Sequence, residues 1–185
     1  MLPNTSRLRA FYLSYLSSPA KDRLVYREIH RHEGRQILEL GIGIGQRAIR
    51  MIETASRFHR PSDIRYTAVD LFEARSAADG PGVTLKMAHR LLTSTGAAVQ
   101  LVPGDPETAL SRAANTLGQI DLMVVSRLLD PHHLAKAWFY VPRLLHAQSR
   151  VLVEELRPGG KTSMRVLGHD QIETLAANAA VRRAA

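Results

Sequence analysis

Three glycines at alternating positions close the run Ile37-Leu38-Glu39-Leu40-Gly41-Ile42-Gly43-Ile44-Gly45. Glycine suits a chain that must turn through backbone angles a β-carbon resists, or that must come very close to a ligand. A tight turn without a ligand is the plainer alternative, but it needs fewer glycines than Gly41, Gly43 and Gly45 provide. Carboxylates stand nearby in the pattern: Glu39 before the glycines, Asp70 in Ala68-Val69-Asp70-Leu71, and Asp105 in Gly104-Asp105-Pro106. Further on, Ser126-Arg127-Leu128-Leu129-Asp130-Pro131-His132-His133 groups a hydroxyl, a carboxylate and two imidazoles. Asp130, His132 and His133 are candidate general bases, since imidazole titrates near neutrality. Asp130-Pro131 also reads as a plain helix start. No metal site is expected, because adjacent His132 and His133 should point apart on a helix.

The elements around these residues alternate in period. Apolar runs at 36–40, 64–69, 99–102, 120–125 and 151–156 read as strands. Amphipathic stretches at 46–59, 83–95, 107–117 (with Gly118 as its cap) and 132–146 read as helices between them. That alternation predicts a doubly wound α/β fold, a mostly parallel sheet with helices on both faces. Two helices precede it. In the first, Leu8, Phe11, Tyr12, Tyr15 and Leu16 recur at helical spacing; the second runs from Pro19, capped by Ser18, to His32. The C-terminal part is short: a returning strand at 162–167 and a helix at 170–180 before the alanine-rich end. The expected division is a helical cap over 1–34 and a ligand-binding domain over 35–185. Trp138 and Tyr140 read as packing residues, with Trp138 a lesser candidate for an acceptor pocket.

Composition narrows the class. With 45% hydrophobic and 23% charged residues the chain has the balance of one globular domain. The absence of cysteine excludes disulfides and thiolate metal sites and suits a reducing, cytoplasmic setting. No apolar run approaches the ~18 residues of a membrane span. Met1-Leu2-Pro3-Asn4 lacks the order of a secretory signal. Lysine and arginine exceed aspartate and glutamate by 25 − 17 = 8, and residues 1–60 carry 11 basic against 5 acidic side chains. That basic third fits either an anionic partner such as RNA or a solvated helix face.

A dinucleotide fingerprint would place its third glycine where Gln46 stands. The spacing Glu39-x-Gly41-x-Gly43-x-Gly45 instead resembles motif I of class I S-adenosylmethionine-dependent methyltransferases, and the resemblance extends from about residue 35 to 156. It implies a Rossmann-like domain that binds S-adenosylmethionine and releases S-adenosylhomocysteine. It implies further that Asp70, with Leu71 beside it, holds the ribose hydroxyls, and that Gly104 and Asp105 meet the adenine. Asp105 serves equally well as a helix N-cap. By the same resemblance Glu39 approaches the methionine amino group and Ser126 edges the methyl donor. The segment after the fourth strand lacks the D/N-P-P-Y/F of amino-group methylation. Ser126 also replaces the first aspartate of metal-dependent catechol-type enzymes. The expectation is therefore a methyltransferase acting at oxygen or nitrogen of a small molecule. A non-catalytic cofactor-binding protein and an RNA methyltransferase are the alternatives. With so short a C-terminal part, either the N-terminal helices or a second subunit of a homodimer must cover the acceptor side.

Overall fold

A computed structural model describes residues 5–184, so the reading of Met1–Asn4 lies outside the described residues. In chain order the elements are α1 (Arg7–Tyr15), α2 (Arg23–His32), β1 (Gln36–Leu40), α3 (Gln46–Ala55), β2 (Arg65–Asp70), α4 (Leu85–Thr93) and β3 (Ala98–Pro103). There follow α5 (Pro106–Ala113), β4 (Ile120–Val125), α6 (Pro131–Ala137), β5 (Leu145–Leu156), β6 (Thr162–Val166) and α7 (His169–Ala184). The strands form one sheet in the order β3-β2-β1-β4-β5-β6, parallel except where β6 runs antiparallel to β5.

Burial explains the layers. Ile37 of β1 faces Val25, Ile29, Met51 and Ile52 of α2 and α3, and Leu13 of α1 joins the same core. Leu38 and Leu40, turned the other way, pack with Leu110, Ala137 and Ile172 of α5, α6 and α7. Each strand of the centre is thus covered on both sides, the arrangement the near-continuous apolar runs require. The chain leaves β1 toward β2 on one side, and β4 lies on the other. Strand order therefore reverses between β1 and β4, and open α/β sheets bind ligands beyond the carboxyl ends of strands at such a point. Among the described residues no helix is long and apolar enough to cross a membrane.

Several boundaries differ from the sequence reading, among them the end of α3, at Ala55 instead of position 59. Pro19 sits in extended backbone (φ −76°, ψ 147°), so a short 3-10 turn at Ala20–Asp22 precedes α2. The helix expected over 132–146 stops at Ala137 and continues as a 3-10 segment, Trp138–Leu144, where Pro142 cannot donate to the ladder. β5 then begins at Leu145 and is longer than expected. α5 ends at Ala113, and Gly118 (φ +70°) lies in the turn to β4 instead of capping it. Trp138 and Tyr140 are packing residues of the α5–α7 layer, as expected. The largest departure is the orientation of α1. Its apolar stripe faces solvent while Ala10, Leu13 and Ser14 are buried against its neighbours.

Candidate functional site

The bend after β1 has the conformation its glycines suggested. Gly41, Gly43 and Gly45 all take positive φ, at +83°, +58° and +78°. At Gly41 a β-carbon would stand 2.8 Å from the Ser126 Cβ, so β1 and β4 can come together there only around a bare backbone. The bend points two amides at the next strand. The N–H of Ile42 donates to Asp70 Oδ2 at 2.8 Å, and that of Gly43 reaches the same oxygen at 3.4 Å. Asp70, 2% exposed, also accepts the Phe72 N–H on Oδ1. The Arg75 guanidinium completes the set, its Nε donating to Oδ1 at 2.7 Å and its Nη2 to Oδ2 at 2.5 Å. Arg75 belongs to a strap (residues 71–84) that folds back over the bend and sets the Pro81 carbonyl against Gly43.

Two cavities flank this centre and share Leu128 as a wall. The first, of about 300 Å³, is lined by Asp70, Leu71, Gly104, Asp105, Leu129 and His133. Asp105 caps α5, accepting the Thr108 N–H at 2.9 Å. Partial burial pushes its carboxyl upward, but the Thr108 N–H and the neighbouring His133 outweigh this and hold it below the ordinary range. Asp130 caps α6 by accepting the N–H groups of His132 and His133, which lower its carboxyl in turn. The His133 ring lies 3.4 Å from Asp105 and 3.8 Å from Glu107. Contrary to expectation the two imidazoles do not diverge: their centroids lie 5.6 Å apart, edge to face. Ligand-type atoms of Asp130, His132 and His133, and those of Asp105, Glu107 and His133, come within 4.8 Å of one another. Both aspartates in these trios are already engaged as caps.

The second cavity, of about 230 Å³, opens on the other side of the bend and carries the residues the sequence reading missed. Arg47, in the first turn of α3, reaches into it beside Lys21, Asp22, Ser126 and Glu154. A cation at a helix N-terminus opposes the macrodipole, so carboxylates must compensate. Glu39, fully buried, accepts the Arg47 Nε at 2.6 Å and the hydroxyl of Tyr66. Burial pushes the Glu39 carboxyl upward, against the pull of Arg47. Glu39 therefore lies beneath the cavity and acts on it through Arg47. Asp22 and Glu154 stand 3.6 Å from Arg47 Nη1, and Lys21 is paired with Glu154. Asp22 Oδ1 is buried with no hydrogen-bond partner, and burial raises this carboxyl too. The Ser126 hydroxyl lies 3.5 Å from Glu154. Glu39 and Ser126 are legible from the motif pattern; of the rest, the sequence trace is Arg47, a basic residue two positions past the last glycine.

The sheet order, the single antiparallel strand at its edge and the glycine bend at the reversal make this a Rossmann-like α/β fold. No protein-family model matches the sequence, and no curated protein does. Solved structures do match by shape. An O-methyltransferase from Bacillus cereus in complex with S-adenosylhomocysteine shares 14% identity with a TM-score of 0.59, over 100% of this chain and 82% of the other. TomG from Streptomyces achromogenes, an O-methyltransferase of tomaymycin synthesis solved with S-adenosylmethionine, shares 14% identity with a TM-score of 0.58, over 92% and 70%. Cofactor-bound Rv0187 from MTB shares 17% with a TM-score of 0.57, over 93% and 74%. At these identities the likeness is one of fold.

Proposed function

We propose that this chain is an S-adenosylmethionine-dependent methyltransferase acting at oxygen or nitrogen of a small-molecule acceptor in the cytoplasm. One observation carries the reading: a bend with three positive-φ glycines at the strand reversal whose amides converge with Asp70. The residues fit the cofactor's chemistry on both sides. Asp70 and Leu71 would take the ribose, and Gly104 and Asp105 the adenine. Arg47 suits the methionyl carboxylate, while the orphaned Asp22 Oδ1 suits its ammonium. When bound, the cofactor supplies a methyl group on a positively charged sulfur, already activated for in-line displacement.

The protein's part is then positioning and proton management. Gly41, packed against Ser126, lets β1 and β4 close at the floor of the groove. The Lys21 ammonium, held by Glu154, faces the same cavity and can fix an acceptor oxygen. Catalysis by Asp130, His132 or His133 asks instead for an acceptor entering over Leu128 and Leu129; Asp130→Asn and His133→Gln test that route through the pH profile of transfer. The reading as a whole is tested by tritiated-methyl transfer from S-adenosylmethionine, screened over metabolite extract and total RNA. Label in a small molecule supports it. Label in RNA alone moves the acceptor class, and binding of NAD in place of S-adenosylmethionine overturns it.

A further inference from the structure

The apolar stripe of α1 is turned outward. Leu8, Phe11, Tyr15 and Leu16 are 83%, 56%, 49% and 60% exposed, and with Tyr12 they follow the i, i+3, i+4, i+7, i+8 spacing of a buried helix face. Contiguous apolar surface of this kind marks an interaction site more often than it marks idle surface. The stripe borders a groove of about 850 Å³ lined by Phe11, Tyr15 and Phe58, with the buried Ala10 and Ser14 beneath them. Arg7, Arg27, Arg31 and Arg57 stand around it, and among the described residues no carboxylate lines it. Arg31 is paired with Glu28, and Arg27 lies over the Tyr15 ring at 5.8 Å. Phe58 lies in the turn just past the end of α3, and His30 near the end of α2. The groove is thus removed from the glycine bend by the length of α3, about 15 Å at 1.5 Å per residue.

We propose that this groove docks an acidic amphipathic helix of a partner protein. The apolar stripe supplies the burial, the guanidinium ring supplies charge complementarity, and aromatics with arginine are the side chains that anchor interfaces. A second copy presenting the same face would bring two arginine rings together. A flat bilayer would leave the concavity unfilled. For RNA, Leu8 and Leu16 offer neither stacking nor phosphate contacts, and the cations ring a hollow instead of tracking a backbone. A helix ridge bearing leucine or phenylalanine on one side and glutamate on the other satisfies both features.

The test uses two fluorescein-labelled designed helical peptides with the same Leu/Phe face, one carrying glutamate and the other lysine on the polar face. Anisotropy titration of the full chain should show binding of the acidic peptide alone, weakened at high salt. Phe11→Ser with Tyr15→Ser should weaken it at least about tenfold. Arg27→Glu with Arg57→Glu should exchange the preference, losing the acidic peptide and gaining the basic one. Affinity for S-adenosylhomocysteine, unchanged in both variants, reports that they are folded. Equal binding of both peptides, or binding indifferent to Phe11 and Tyr15, overturns the proposal. So does a sedimentation experiment in which Phe11→Ser converts a dimer to monomer, or tighter binding of single-stranded RNA or phosphatidylserine vesicles at the same residues.

Discussion

Replacing Arg75 with alanine should tighten binding of S-adenosylhomocysteine. Asp70 accepts five donors here: the N–H groups of Ile42, Gly43 and Phe72, and two from the Arg75 guanidinium. These five already fill the acceptor directions of a carboxylate, about four in number, so two ribose hydroxyls can enter only in place of the two Arg75 donors. The cofactor must therefore open the clasp, and the apparent affinity is lowered by the fraction of molecules in which it is closed. The Arg75 side chain is 12% exposed and that of Asp70 1%, so the pair is sheltered from solvent. Hydrogen bonds to charged groups contribute about 1.5–3 kcal/mol. Taking the lower value for the opening cost, since Arg75 regains water when it swings out, Arg75→Ala should bind roughly tenfold more tightly. Asp70 keeps its three amide donors in the variant and stays poised. Calorimetric titration measures this directly. Unchanged or weaker binding by a folded Arg75→Ala protein would refute the clasp and imply that Arg75 itself contacts the ligand.

The buried network gives further expectations. Arg47→Met leaves Glu39 without its cation and should cost about 3–5 kcal/mol, a loss of roughly 2–4 °C in Tm per kcal/mol for a chain of this size. Adding Glu39→Gln should restore most of it in the same thermal melt, and a single variant that melts like the wild type contradicts the network. Asp22 is raised by burial, so its ionised form is penalised in the fold. Its stabilising contribution is full below the unfolded carboxyl range and is lost as pH rises through the raised value. Asp22→Asn should thus have the higher urea midpoint at pH 7, with the gap closing toward about pH 3, yet should bind S-adenosylhomocysteine more weakly. Gly41→Ala meets both the +83° φ and the 2.8 Å approach to Ser126. It should lose about 1–3 kcal/mol of stability from backbone strain alone. Ser126→Gly in the same background relieves the clash but not the strain, so chemical denaturation should show partial rescue.

Much of the sheet was legible because each strand is an apolar run that ends in punctuation. β4 stands at Ile120–Val125 as read, and β1 ends where Leu40 meets Gly41. Glycine spacing located the bend for the same reason, since positive φ leaves a mark in residue type. α1 was legible as a helix but not in its orientation: periodicity shows which residues share a face, not whether this chain or another covers it. The 132–146 helix was overextended because local pattern outweighed the single Pro142. The Lys21–Glu154 pair was out of reach, for its members are 133 positions apart and meet only once β5 and the turn after Pro19 are placed. Arg75 was hidden likewise, because only the folded strap brings its guanidinium onto Asp70.

The central claim is that the glycine bend at Gly41–Gly45 and the Asp70 carboxylate together hold an adenosyl group. Calorimetry of wild-type protein and Asp70→Ala with S-adenosylhomocysteine tests it most directly, with circular dichroism to show that the variant is folded. The account predicts saturable binding by the wild type and a loss of more than about tenfold in the variant, since hydrogen bonds to the charged carboxylate disappear. Equal affinity in the two proteins, or no binding by either, would contradict it.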